Sequence, residues 1–368
     1  MDLNKIYQGD SLEVLKTFPD EIVDCVVTSP PYWGLRDYGT ADWEGGDPEC
    51  NHKPEFIASK TATVGNDVKD IGKKYYKDNC LKCGAKRVDK QLGLEETPEE
   101  FAQNLVKLFR EIKRVLKKSG TVWLNLGDSY CGGGRGFQYC NDNTIQQNHI
   151  DAGVKYGPPT GKIQGLKSKD LVGIPWRVAF ALQADGWYLR QDIIWQKPNP
   201  MPESVTDRCT KSHEYIFLLT KSPKYFYDAD AIREEMKEST KQRYNYDWNG
   251  NTDVGSIKAS HSGIGNYLGS GKAKESIEAG RNKRSVWSIT TKSYSGAHFA
   301  TFPPDLPELC IKAGSPKDGV VLDPFFGSGT TGWVAQRLGR KWIGIELNPE
   351  YIQIADKRFA QQDIFANI

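Results

Sequence analysis

At 368 residues the chain can bury a substantial core, either as one large α/β domain carrying inserts or as two domains. A formal charge of +2 excludes a globally basic coat, so any nucleic-acid surface has to be local. No apolar run reaches the roughly 18 residues of a membrane span, Met1-Asp2-Leu3-Asn4-Lys5 is no signal peptide, and the expectation is a soluble, cytoplasmic protein. Eight cysteines in a chain this long do not suggest a disulfide scaffold, and their spacing points to metal.

Tyr7-Gln8-Gly9-Asp10-Ser11 leads into a short helix begun by Ser11-Leu12-Glu13-Val14-Leu15, which Asp10 can cap. Ile22-Val23-Asp24-Cys25-Val26-Val27 then has the length and β-branching of a buried strand. Thr28-Ser29-Pro30-Pro31-Tyr32-Trp33-Gly34 follows it, and the two prolines stop both ladder and helix. The product is a stiff loop at the carboxyl end of a strand, where open α/β sheets bind ligands. It presents a hydroxyl, aromatic rings and rigid carbonyls, a slot for a flat, amine-bearing ring. An exocyclic amine is a poor nucleophile because its lone pair is delocalised. The Ser29 hydroxyl and the Pro30 carbonyl, as preorganised acceptors of its two N–H groups, would draw the nitrogen toward sp³. Tyr32 can stack on the ring, worth about 1–3 kcal/mol. A proline-rich turn with aromatic packing is the plainer alternative.

Thr28-Ser29-Pro30-Pro31-Tyr32 resembles the catalytic motif of the amino-group DNA methyltransferases, (Asp/Asn/Ser)-Pro-Pro-(Tyr/Phe). Its place ahead of the glycine-rich stretch Asp323 to Gly332 resembles the permuted β class of that family. The resemblance implies a catalytic role for Ser29, Pro30, Pro31 and Tyr32, and places Asp10 near the adenine end of S-adenosylmethionine, beside its role as a cap. It implies duplex DNA as partner, with Arg36 close to it, and allows a homodimer and a cognate restriction endonuclease as further partners.

Residues 40–96 interrupt the domain without strand or helix periodicity and hold Cys50-x-His52 and Cys80-x-x-Cys83-Gly84. Two thiolates on a tight turn reach one tetrahedral ion, and Cys50 with His52 would complete a closed structural zinc site. Four reduced surface residues are the alternative. Lys69 to Lys90 carries eight Lys or Arg against three Asp, a phosphate-tracking stretch or a solvated face. Thr97-Pro98-Glu99-Glu100 is a capping box, and the apolar spacing from Phe101 predicts a helix ending at Gly120, before a buried strand Thr121 to Leu126. Asp128, just beyond that strand, is a candidate with no role assigned. Residues 131–165 are Gly- and Asn-rich, a mobile loop closing over DNA or cofactor or a disordered insert.

A helix over Leu171 to Asp185 and strands over Trp187 to Trp195 and His213 to Lys221 come next, with His213 read as structural. Between the strands, Lys197-Pro198-Asn199-Pro200-Met201-Pro202 suits a loop gripping a nucleic-acid strand beside the slot. Residues 231–291 are polar, with ten Lys or Arg to seven Asp or Glu. The resemblance places target recognition there, where Arg243, Asn245, Arg281, Lys283 and Arg284 would read bases or phosphates; a long surface loop is the alternative. The resemblance also folds the segment of Phe299 and Thr301 over the cofactor's methionine part.

Val320-Val321-Leu322-Asp323 reads as a strand, after which Pro324-Phe325-Phe326-Gly327-Ser328-Gly329-Thr330-Thr331-Gly332 lets backbone approach a ligand at a helix N-terminus. Strand Lys341 to Ile345 ends at Glu346, suited to ribose hydroxyls. This pattern also fits NAD. Asp-Pro-Phe directly before the glycines, the short remainder of the chain and the absence of a hydride-acceptor site favour S-adenosylmethionine. The expected cofactor contacts are Asp10, Phe299, Thr301, Asp323, Phe325, Gly327, Gly329, Thr330, Thr331 and Glu346.

The expected fold is one α/β doubly wound domain of Rossmann-like methyltransferase type, its mostly parallel sheet drawn from both chain ends, with a zinc-binding insert. Residues 1–39 and 97–230 would form the acceptor half, 40–96 the zinc insert, 131–165 the mobile loop, 231–291 the target-recognition region and 292–368 the cofactor half. The expected reaction is methyl transfer to the exocyclic amine of a flipped base. Ser at position 29 resembles the cytosine-N4 subset more than the adenine-N6 subset. An NAD-dependent oxidoreductase, a non-catalytic DNA-binding protein and an RNA substrate are the other readings.

Overall fold

The structure, a computed structural model, describes residues 1–34, 42–52, 79–88, 91–131, 165–167, 169–239, 280–292 and 302–366, with 42 and 361–366 by backbone alone. Arg36, Arg243, Asn245, Phe299, Thr301 and most of the 131–165 loop and the 231–291 region therefore lie outside the described residues. The strands are β1 (Lys5–Gln8), β2 (Val23–Thr28), β3 (Asp42–Glu44), β4 (Lys86–Val88), β5 (Leu116–Leu126), β6 (Tyr188–Gln196), β7 (His213–Thr220), β8 (Val286–Ser288), β9 (Val320–Asp323) and β10 (Lys341–Glu346). The helices are α1 (Ser11–Lys16), α2 (Pro98–Val115), α3 (Ile174–Ala184), α4 (Asp305–Gly314), α5 (Thr330–Arg337) and α6 (Pro349–Ala366).

Eight strands form one sheet in the order β1-β10-β9-β2-β5-β7-β6-β8, and β3 pairs with β4 apart from it. Pairing is parallel from β1 through β5, antiparallel at β5–β7 and β7–β6, and parallel again at β6–β8. This is the doubly wound, mostly parallel α/β sheet, and it is assembled from both ends of the chain. Its centre is β2, every residue of which is buried. Val23 and Val26 face a core shared with α1, α2 and α3, while Cys25 and Val27 face a second core shared with α4, α5 and α6. Burial on both faces explains why β2 reads as a continuous apolar run. The chain has no helix among the described residues that is long and apolar enough to cross a membrane.

One boundary differs from the sequence reading. Helix α2 begins as expected, with the Thr97 hydroxyl accepting from Glu100 N, but ends at Val115 and not at Gly120. Leu116 is already extended and pairs with Val23. The register then jumps, so that Cys25 faces Thr121, and residues 117–120 form the irregularity. A Cβ at Gly120 would sit 2.5 Å from the Leu116 side chain, so only glycine closes this bulge. Strands β1 and β8, the β3–β4 pair and helix α6 lacked a periodic signal in the sequence.

Candidate active site

Because β2 pairs directly with β9 (Cys25 with Val321, Val26 with Leu322), the loops leaving both carboxyl ends emerge side by side. They line one cavity of about 1370 Å³, which Ser29, Pro30, Pro31 and Tyr32 share with Asp323, Pro324, Phe325, Gly327 and Thr330. The acceptor and donor motifs, distant in sequence, are thus brought together.

Asp323 joins the two loops. Its carboxylate accepts from Thr28 Oγ1 and Thr331 Oγ1, each at 2.7 Å, and from Phe325 N at 3.1 Å. Burial, only partly offset by these bonds, pushes its carboxyl up to about 7, with the Glu346 charge adding to the rise. Glu346, at the tip of β10, also lies above the usual carboxylate range because it is buried. It accepts from Gly327 N and Asn348 N, each at 2.8 Å, which fixes it at the cavity wall. Asp10 accepts from Glu13 N as the cap of α1 and lines the same cavity, so one side chain has both placements.

The glycines divide the work. Gly327 (φ +50°) and Gly329 (φ +77°) take backbone conformations that other residues resist, and Gly329 begins α5 with no side-chain cap. A Cβ on Gly332 or Gly344 would collide with the Phe326 ring, at 2.5 and 2.4 Å. That ring stacks on Trp342 beneath the loop. Gly329 and Thr331 stand behind the lining, whereas Gly327, Thr330 and Glu346 reach it. Arg358 of α6, donating to Thr330 Oγ1 at 2.7 Å, braces the loop from behind.

On the acceptor side, Ser29 Oγ donates to Tyr32 Oη at 3.3 Å, and Tyr32 donates to Glu214 at 2.7 Å. Asn125 Nδ2 donates to the same Glu214 oxygen at 3.1 Å, and Lys197 Nζ pairs with the other. Lys197 also lies 4.5 Å from the centroid of the Trp195 ring. Glu214, Asn125 and Lys197 all line the cavity. Glu214 and Asn125 were not singled out from the sequence. Each borders an apolar stretch of its strand (Val122-Trp123-Leu124 before Asn125, Tyr215 to Leu219 after Glu214), and a polar residue beside such a run is the signal that was there to read. The Tyr32 ring lies against Gly127, where a Cβ would come within 2.6 Å. Asp128 accepts from Gly173 N and Ile174 N and so caps α3 across space.

The four expected metal ligands converge: one ligand atom each from Cys50, His52, Cys80 and Cys83 lies within 4.8 Å of every other. Arg281, Lys283 and Arg284 gather around Glu234, at 3.1, 3.3 and 3.0 Å.

Residues 23–357 match the family model for N6/N4-type enzymes, described as DNA methylase. The chain belongs to the N6/N4 DNA methylases. Among its relatives is the type II methyltransferase M.Cfr9I of Citrobacter freundii, 41% identical over 97% of this chain and 88% of that protein. Solved structures share the fold. They include the cytosine-N4-specific PvuII DNA methyltransferase (18% identity, 98% of this chain, 87% of that one, TM-score 0.54). A DNA modification methylase of Thermus thermophilus, solved with S-adenosyl-L-methionine, covers 97% and 94% with 20% identity and a TM-score of 0.50. This N6/N4 DNA methylase is an S-adenosylmethionine-dependent enzyme acting on an exocyclic amine of a DNA base. The residues fit that cofactor: a fixed carboxylate for a diol, glycines that admit the ligand, and an uncapped helix start on one cavity wall.

Two outcomes follow from the geometry. Gly127→Ala should displace Tyr32 and lower kcat/KM for DNA on the order of tenfold, with S-adenosylmethionine affinity from calorimetry nearly unchanged. Folded Asp323 keeps its proton up to about pH 7, whereas the unfolded chain releases it near pH 4. Asp323 therefore favours folding most at low pH, and that contribution is lost as pH rises through this window. In urea unfolding, the stability of the wild type relative to Asp323→Asn should rise by roughly 1–2 kcal/mol from pH 7.5 to 5.5.

Proposed function

We propose that the enzyme methylates the N4 amine of a cytosine flipped from duplex DNA. The observation behind this reading is the hydrogen-bonded series Ser29–Tyr32–Glu214 at the cavity wall, with Lys197 on the far carboxylate oxygen. Ser29 is a neutral acceptor, so on its own it polarises an amine less than a carboxylate would. Its hydroxyl donates to Tyr32, which donates to Glu214, and successive bonds of this kind strengthen one another in a buried site. The lone pairs of Ser29 are left for one N–H of the base and the Pro30 carbonyl for the other. S-adenosylmethionine supplies an electrophilic methyl group. As the nitrogen–carbon bond forms and the carbon–sulfonium bond breaks, one amine proton leaves. Ser29 takes it and passes its own proton to Tyr32, which passes its own to Glu214. Lys197 lines the cavity, where the Watson–Crick edge of cytosine offers N3 and O2 as acceptors and that of adenine only N1. The Ser-Pro-Pro-Tyr form of the motif supports the same base.

The proposal includes the residue roles expected from the sequence. Asp10, Asp323, Phe325, Gly327, Thr330 and Glu346 would serve the cofactor, residues 231–291 target recognition, and Lys197 the DNA. It also includes a structural zinc ion on Cys50, His52, Cys80 and Cys83, a cytoplasmic location and a cognate endonuclease.

Mass spectrometry of nucleosides from treated duplex DNA should show N4-methylcytosine; N6-methyladenine instead would assign the other base. Glu214→Gln should reduce kcat roughly tenfold or more, by loss of a preorganised charge. Adding Ser29→Asp to that variant should recover part of the loss, because the carboxylate then acts directly.

A further inference from the structure

We infer that the metal-ligand cluster is a brace for the acceptor loop, with zinc locking a hairpin whose base is the catalytic turn itself. The inference rests on the zinc reading given above. The ligand spacing supports that reading. Zinc–sulfur bonds of about 2.3 Å and zinc–nitrogen bonds of about 2.0–2.1 Å at a tetrahedral angle place two sulfurs about 3.8 Å apart, and sulfur and nitrogen about 3.6 Å apart. Cys50 Sγ and Cys80 Sγ are 3.8 Å apart, and Cys83 Sγ and His52 Nδ1 are 3.6 Å apart. The surroundings are those of a knuckle. Gly84 turns at φ +75°, Gly84 N bonds Cys80 O, and backbone groups of Ala85 and Asp47 bond the Cys83 sulfur. Gly46 passes so near that a Cβ would lie 2.8 Å from that sulfur. Trp43 stacks on the His52 ring at 4.7 Å. Four protein ligands close the coordination sphere, so the ion has no position for substrate.

The hairpin is tied to the active site at its other end. Chain leaves the acceptor loop at Gly34 and returns at Gly93, and Gly34 N bonds Gly93 O at 2.7 Å. Gly93 stands at φ +97°, with a Cβ position 3.0 Å from Tyr32 O. The buried indole of Trp33 donates to Glu95 O at 2.9 Å. Between this base and the knuckle, β3 and β4 pair over three residues each (Asp42 with Val88, Glu44 with Lys86). Two strands of that length do not hold together in water by themselves. The metal supplies the missing constraint. It keeps residues 91–95 against residues 32–34, and so keeps Tyr32 in its place on Gly127 and Glu214. The cofactor wall, built on β9 and β10, takes no part in this brace.

Metal analysis of the purified full-length protein should find one zinc per chain. Removing it with a chelator should lower kcat on duplex DNA at least tenfold. The S-adenosylmethionine dissociation constant, read by calorimetry, should change less than twofold, and added zinc should restore turnover. Trp33→Phe, which removes the bond to Glu95 O, should lower kcat with zinc still bound. Protein without zinc would overturn the metal reading. Zinc present, but turnover unchanged after its removal, would overturn the brace alone. Equal loss of kcat and cofactor affinity, with unfolding by circular dichroism, would show a general stabiliser and likewise overturn the brace.

Discussion

The Asp323 carboxylate, held by Thr28 on one side and Thr331 on the other, is the contact on which the active site depends. It lies where the two central parallel strands end, shielded from water, so its hydrogen bonds act in a low dielectric and resist exchange with solvent. A methyl donor and an amine acceptor must meet at near-contact distance. Two flexible loops would not keep that distance. Here the two loops are stiffened differently, by prolines at 30–31 and by glycines packed on the Phe326 ring, and one buried carboxylate joins their roots.

The acceptor side is polar where the donor side is mostly backbone. Tyr32, Asn125, Glu214 and Lys197 come from two strands and two loops, yet their hydrogen bonds converge on a single carboxylate. Such a network is stable only if each member is satisfied, and every polar atom named there has a partner. That explains why the turn is so crowded. Gly127 makes room for the tyrosine ring, and Gly93 makes room for the backbone behind it.

Much of this was legible in the sequence because it is encoded locally. Strands β2 and β9 carry the apolar runs of doubly buried strands, the Thr97 capping box starts α2, and the proline pair and glycine turn announce themselves by residue type. What was not legible depends on partners. The end of α2 could not be placed because Val115 and Leu116 continue the helical spacing, while pairing with Val23 draws Leu116 into the sheet. Strand β1 is half exposed and too short for a pattern. Glu214 reads as a strand residue until the antiparallel β6–β7 pairing sets it beside Lys197 and Tyr32. The basic residues 281, 283 and 284 were read singly, as candidates for bases or phosphates, and their shared partner, the Glu234 carboxylate, could be seen only in the structure.

The order of the strands has a consequence for how the enzyme is made. Thr28 and its partner Asp323 are 295 positions apart. At the usual 5–20 residues per second, a ribosome needs about 15 to 60 s to deliver the second after the first. Throughout that interval the central strand lacks one of its two neighbours, and the growing chain has only half of the cleft. An interrupted translation product therefore carries the Ser29–Tyr32 turn without the wall that faces it, and the cavity closes only when the final strands have docked.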